Sequence, residues 1–299
     1  MVNYKEILND IVRSEENLRE ITQDEKMELK KCLYDMACDI DNKCREHNIH
    51  LFLVGGSLLG AVRHGGFIPW DDDMDFALIR GDYERLISVF DEVLGREYEL
   101  RCPNSKFPNG NRFMQIYKKN TVLKTLGGNN PMQPQCVSID VFPYDYVPQN
   151  KICRFVRGIY ANIMMAIASC VMEKKYPDEL LLKYMKKHKN GKKLCMLRNI
   201  IGVFFSFKSP EKWFNKVDDI IAYKRKSDLV TSATGRKHYF GEVYKYGVFF
   251  PLTEMKFNGH LFYAPCHYEI YLKGLYGSDY MIPPKNDGKE SHFISELKL

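Results

Sequence analysis

Between residues 65 and 78 the chain reads GGFIPWDDDMDFAL, with Asp71, Asp72, Asp73 and Asp75 crowded ahead of an apolar run. Alternate residues of an extended segment share a face, so Asp71, Asp73 and Asp75 point the same way. Carboxylates at that spacing repel one another unless a cation neutralises them. Hard divalent ions take oxygen ligands of this kind. An EF-hand loop also opens D-x-D-x-D, but it requires Gly at its sixth position and Glu at its twelfth. Here those positions hold Phe76 and Asp82, which excludes it. An acidic turn or helix cap accounts for single aspartates and poorly for four.

A second feature lies just upstream. The apolar run Ile49 to Val54 stops at Gly55-Gly56-Ser57 and is followed by SLLGAVRHGG. That pattern predicts a buried strand, a tight turn and a short helix. Backbone N–H groups at such a turn, with a serine hydroxyl beside them, form a phosphate cradle. A Gly-Gly pair alone is usually only a turn. Here a strand carrying Asp73-x-Asp75 follows at short range, and Asp140 sits in a further predicted strand, SIDVFP. Donors for phosphate and carboxylates for metal therefore fall on adjacent strands, enough to hold a metal against a nucleotide phosphate chain.

Thr22-Gln23-Asp24-Glu25 resembles a capping box and opens a predicted helix to about residue 46, striped by Leu29, Leu33, Met36, Ile40 and Cys44. Strands are predicted over 74–79, 113–119 and 136–147, and a helix over 81–94. From 151 to about 226 the pattern is helical and basic. From 239 to 281 it is aromatic and broken by Gly and Pro, which predicts short elements packed over the rest. The organisation expected is an N-terminal helical segment (1–48), a catalytic core (49–150), a basic helical region (151–230) and a C-terminal substrate-binding, lid-like segment (231–299), together one compact unit. The fold class is α/β in the α+β sense, with a mixed sheet.

The 299 residues, 45% apolar and 27% charged, suffice for a sizeable core and argue against disorder. The net charge of +6 is uneven. Residues 151–225 hold 17 Lys and Arg against 6 Asp and Glu, leaving the remainder net acidic. A basic middle suits an anionic partner, or simply solvated lysine faces on helices. The nine cysteines include no CxxC pair, so a zinc site or disulfide framework is not expected and reduced thiols are. No secretory signal pattern is recognised at the start, and the apolar stretch 158–172 is short for a bilayer span. A cytoplasmic protein is expected, with contact at the inner face of the membrane as an option. The apolar segments 152–172 and 194–207, flanked by Lys and Arg, suit either core packing or an anionic membrane surface.

GGSLLGAVRHGGFIPWDDDMDFAL resembles the signature of the LicD family of phosphotransferases, which includes fukutin and fukutin-related protein. The resemblance continues in SIDVFPYDYVP and FYAPCHYEIYLKGLYGSDYMIPP and extends toward His292. It implies a nucleotidyltransferase-like fold and transfer of a phospho-alcohol from a CDP-alcohol to a sugar hydroxyl, with CMP leaving. Carried over by position, Asp71, Asp73, Asp75 and Asp140 are the metal-site carboxylates, for Mg²⁺ or Mn²⁺, and Asp73, Asp75 and Asp140 are the catalytic ones. Gly55, Gly56 and Ser57 form the phosphate-binding turn, with Arg63, His64 and His292 as further substrate contacts. The resemblance also implies CDP-choline as the first donor to test and a glycan or lipid-linked sugar as acceptor, in lipopolysaccharide, teichoic acid or capsule assembly. Asp72, between the ligand positions, is expected to face away.

Other readings bear on these residues. The same apparatus serves a nucleotidyltransferase that moves NMP from an NTP to a small molecule or protein. A nucleic-acid binder would need aromatics interleaved with the basic residues, and the lysines here are clustered beside an acidic cleft, so nucleic acid is not expected. The tail tyrosines Tyr263, Tyr268, Tyr271, Tyr276 and Tyr280 are either packing residues of a lid or part of a box for a quaternary ammonium. Lys118 and Lys119, at a strand end, are either phosphate contacts or solvated.

Overall fold

In the computed structural model, residues 11, 18–125, 130–283 and 293–299 are described below. The helix predicted from the capping box is α1 (Gln23–Glu46). Thr22 Oγ1 accepts the Glu25 N–H at 3.3 Å, and Glu25 Oε2 accepts the Thr22 N–H at 3.0 Å. Its buried stripe includes Leu29, Leu33, Met36 and Ile40, packed on one face of the central sheet.

That sheet runs in the order β10 (Thr253–Phe257), β11 (His260–Ala264), β2 (Phe52–Leu53), β3 (Asp75–Ile79), β7 (Ser138–Tyr146), β5 (Met114–Lys118) and β4 (Tyr98–Arg101). The β3–β7 and β11–β2 pairs are parallel and the others antiparallel, so the sheet is mixed, as expected. The far end of β7 bends away to pair with β8 (Leu229–Thr231), which pairs with β9 (Val243–Lys245). A small separate sheet joins β1 (Arg19–Glu20), β12 (Phe293–Lys298) and β6 (Val122–Thr125).

The predicted strand at 49–54 is a ladder only at Phe52–Leu53. The chain turns at Gly55, whose φ of +53° lies in the left-handed region that glycine adopts without a Cβ penalty. It enters α2 (Gly55–His64) directly, so both glycines belong to the helix start. Helix α3 (Arg80–Val93) follows β3 without a linker.

The basic region is α4 (Lys151–Lys175), α5 (Glu179–Met185), α6 (Lys189–Phe204) and α7 (Pro210–Ile221). It has its own apolar centre, where Ala161, Met165, Ala168 and Val171 of α4 meet Trp213, Phe214 and Val217 of α7. An ionic joint ties it to the sheet. Arg80, at the exit of β3, makes two bonds to Asp145 on β7 (2.6 and 2.9 Å) and one to Asp218 on α7 (2.9 Å). The 231–299 segment does more than cover the site. Its β10–β11 hairpin forms one edge of the central sheet. After a short helix α8 (His238–Gly241) and the hairpin, α9 (Tyr268–Tyr276) lies over the start of α2, where the Gly55 N–H donates to Tyr271 Oη at 3.1 Å. All nine cysteines are free.

Candidate active site

The parallel register of β3 and β7 sets Asp75 directly beside Asp140. On the other side of β7, Gln115 of β5 is in register with Asp140 and its Nε2 donates to Asp140 Oδ1 at 3.0 Å. Asp73, just before β3, approaches both Asp75 and Asp140 closely enough to raise their pKa values. Burial, then Asp73, Asp140 and Asp71, push the Asp75 carboxyl well above the ordinary range. Asp140 is pushed up to about 7, chiefly by burial, against the opposing Gln115 bond. These are the marks of carboxylates crowded together and drawn out of water.

The two glycines of α2 make room for that cluster. A Cβ on Gly55 would stand 2.6 Å from Asp75 Oδ2, and one on Gly56 2.8 Å from Asp71 Oδ2. The Gly56 N–H acts on the Asp75 carboxyl to favour its charged form, so the positive end of α2 faces the acidic group. Ser57 is buried, and its Oγ accepts the Asp75 N–H at 2.7 Å. The hydroxyl therefore clips α2 to β3 and sets where Asp75 stands.

An outer cavity of about 370 Å³ is lined by Gly56, Arg63, Asp71, Asp73 and Asp75, with Arg236 and Tyr276 opposite. Asp73 also lines an adjoining cavity of about 180 Å³ with Asp140 and Gln115. Arg63 is held by the Tyr280 carbonyl (3.0 Å) and lies over Trp70, 5.7 Å from the ring centroid. His64 does not line these cavities. It accepts the Arg63 Nε–H at 2.9 Å and meets Trp70 edge-on, and burial with Arg63 beside it holds its pKa below the usual value. Asp72 lines the smaller cavity with Asp73. Lys118 and Lys119 point to Cys32 and to the Gly95 carbonyl. His292 lies outside the described residues. Of the tail tyrosines, Tyr276 and Tyr280 line the outer cavity, Tyr271 holds the Gly55 N–H behind it, and Tyr263 stacks under Arg45 at 3.8 Å.

Sequence reasoning missed Gln115, Arg236 and Glu242. Gln115 left a signal, as a polar residue inside the apolar strand FMQIYKK. Arg236, in SATGRKHYF, left none that its neighbours make visible. The donor set Asp71, Asp73, Asp75 and Asp140 is all oxygen, which fits a hard divalent cation. Among the described residues no three His, Cys, Asp or Glu side chains converge into a ready-made ion site.

Residues 48–151 match the family described as LicD/FKTN/FKRP, nucleotidyltransferase domain. The lipopolysaccharide cholinephosphotransferase LicD of Haemophilus influenzae is 28% identical over 258 residues, covering 83% of this chain and 89% of that protein. An uncharacterized protein of Rickettsia typhi is 30% identical over 135 residues, 44% of this chain and 40% of its own length. The matched segment holds β2, α2, β3 and β7 together with the glycine turn and all four aspartates, so the part of the chain that carries the candidate site is the part similar to the LicD-type nucleotidyltransferase domain.

Proposed function

We propose that this protein is a transferase that moves phosphocholine, or a closely similar phospho-alcohol, from its CDP-activated form to a sugar hydroxyl and releases CMP. The observation that carries the proposal is the alignment of Asp75 and Asp140 on parallel strands beside the Gly55–Gly56 helix start. The relative from Haemophilus influenzae, a cholinephosphotransferase by name and alike over most of both chains, supports the choice of alcohol.

In the proposed reaction the acceptor oxygen bonds to the distal phosphorus as the bond from that phosphorus to the CMP oxygen breaks. Asp140 takes the proton of the acceptor hydroxyl. Gln115 holds its carboxylate in place, so that it stands ready to accept a proton as a general base. Arg63 and Arg236, on the wall of the outer cavity, bind the donor's phosphate oxygens and offset charge that builds on the leaving CMP. Mg²⁺ or Mn²⁺ held by Asp71, Asp73, Asp75 and Asp140 would supply Lewis-acid neutralisation of the diphosphate.

The acceptor in this proposal is a lipid-linked glycan precursor met at the cytoplasmic face of a membrane. What supports it is the outer face of the basic region. On α4, Ile152, Phe155, Val156, Ile159, Tyr160 and Ile163 are all exposed, a continuous helical stripe. On the neighbouring α6 and the turn after it, Ile200, Val203, Phe204 and Phe207 are exposed too. Exposed Lys151, Lys192, Lys193 and Lys208 flank them. By length and composition α4 suffices to cross a membrane, but its other face packs on α7, so in this proposal it lies flat on anionic lipid.

Single-turnover CMP release tests the reaction. CDP-choline, CDP-ribitol and CDP-glycerol are each offered with Mg²⁺ and a sugar acceptor, with EDTA as control. Metal-dependent CMP release from a CDP-alcohol, lost in Asp73→Asn, is the expected result. Pyrophosphate release from CTP or ATP instead would move the attack to the α-phosphorus and make the protein a nucleotidyltransferase.

A further inference from the structure

Behind Asp75 lies a smaller chamber of about 120 Å³. Four aromatic side chains line it: Phe142 and Tyr144 from β7, and Tyr271 and Tyr276 from α9. Between them stands the carboxylate of Glu242, 2% exposed. Glu242 accepts the Lys237 N–H at 2.8 Å and forms no ion pair among the described residues. Gly235 lies flat against it, where a Cβ would come within 2.5 Å of Oε1. Ser232 Oγ, also on the wall, is buried with no hydrogen-bond partner among the described residues.

A buried carboxylate without a cation is costly to the fold. Aromatic faces attract cations, most strongly when these are desolvated, and a cage of rings is the usual host for a quaternary ammonium. Asp75, Arg236 and Tyr276 line both this chamber and the outer cavity, so the two share a wall. A ligand with phosphates in the outer cavity can place a short cationic arm in the inner one. Arg236 on the shared wall stands where a phosphate passes between them, and a guanidinium there pairs with it.

We infer that the inner chamber holds the quaternary ammonium headgroup of the donor's alcohol, with Glu242 as its counter-charge and Tyr144, Tyr271 and Tyr276 as its aromatic walls. The inference rests on the reading of the protein as a CDP-alcohol transferase, but it is testable without turnover. Choline chloride and tetramethylammonium chloride are titrated into the full chain by calorimetry, with ethanolamine for comparison and CMP as a second ligand.

The expected result is saturable binding of choline and tetramethylammonium, with ethanolamine weaker. Glu242→Gln weakens choline at least tenfold and leaves CMP affinity unchanged. Tyr276→Leu, which removes a ring but keeps an apolar wall, also weakens choline. No choline binding by the unsubstituted chain, tighter binding of ethanolamine, or choline affinity unchanged in both variants overturns the inference. Choline binding without CMP release from any CDP-alcohol would retire the transfer reading and keep the chamber. CMP release from CDP-choline with KM unchanged in both variants would do the reverse.

Discussion

Glu242 illustrates how one buried side chain sets a pH response. Burial pushes its pKa to about 7 from an ordinary 4.5. Below pH 4.5 it is neutral in both folded and unfolded chains. Between pH 4.5 and 7 the unfolded chain ionises first, so the group increasingly disfavours folding as pH rises, by about 3 kcal/mol at most. Above pH 7 both states are charged and the cost is constant. Glu242→Gln removes this term. Urea denaturation should find the variant more stable than the unsubstituted chain at pH 8, with the difference vanishing at pH 4.5. Saturating choline should narrow the gap at pH 8, because it pairs the charge. Equal stability of the two proteins across that range would show that Glu242 is not desolvated as described.

At the scale of elements, the joint between the sheet and the basic helices depends on Arg80. It bridges Asp145 and Asp218, both buried, and Asn104 adds a bond to Asp218 at 3.0 Å. Arg80→Met leaves two buried carboxylates without their guanidinium and should cost about 3–5 kcal/mol. Replacing Arg80, Asp145 and Asp218 together by apolar residues of similar size should recover most of that loss. Equilibrium unfolding of both variants checks it; a single substitution that costs less than about 1 kcal/mol would show the joint to be dispensable. This joint was not legible in the sequence. Its three members lie 65 and 73 residues apart, and only the tertiary fold brings them together. The elements themselves were legible where a local rule governs them. The Thr22–Glu25 box starts α1, and the apolar runs at 74–79 and 136–147 become β3 and β7 within two residues. The run at 49–54 yields a two-residue ladder because Gly55 turns the chain at once into α2. The aspartates announced the site because they crowd in sequence. Arg236 and Glu242 did not, since each is a lone charge in a loop-rich stretch whose partners come from β7 and α9.

At the scale of the whole molecule the charge and the apolar surface are arranged on different regions. The acidic cavity sits at the leading ends of β3 and β7, while the exposed apolar stripes of α4 and α6 lie on the basic helical region. If those stripes rest on lipid, flotation with vesicles containing anionic lipid should carry the protein upward at low salt. Phe155→Glu with Phe204→Glu should leave it at the bottom with the same CMP release from a water-soluble acceptor. Raised salt should weaken flotation in part only, since apolar burial remains. A protein that stays down with anionic vesicles but elutes as a dimer would assign the stripes to a second copy of the chain.

The parallel alignment of Asp75 with Asp140 has a consequence for quality control. Side chains on a strand alternate between faces, so a slip of one residue between β3 and β7 would turn Asp140 away from Asp75. Such a misfolded chain would also turn Ile139 and Val141 of β7 from the face they bury. Its content of helix and strand would differ little by circular dichroism, yet it would be silent in an assay. The specific activity of a refolded preparation, measured against its spectroscopic signal, would therefore count the fraction of molecules in which this one ladder closed in register.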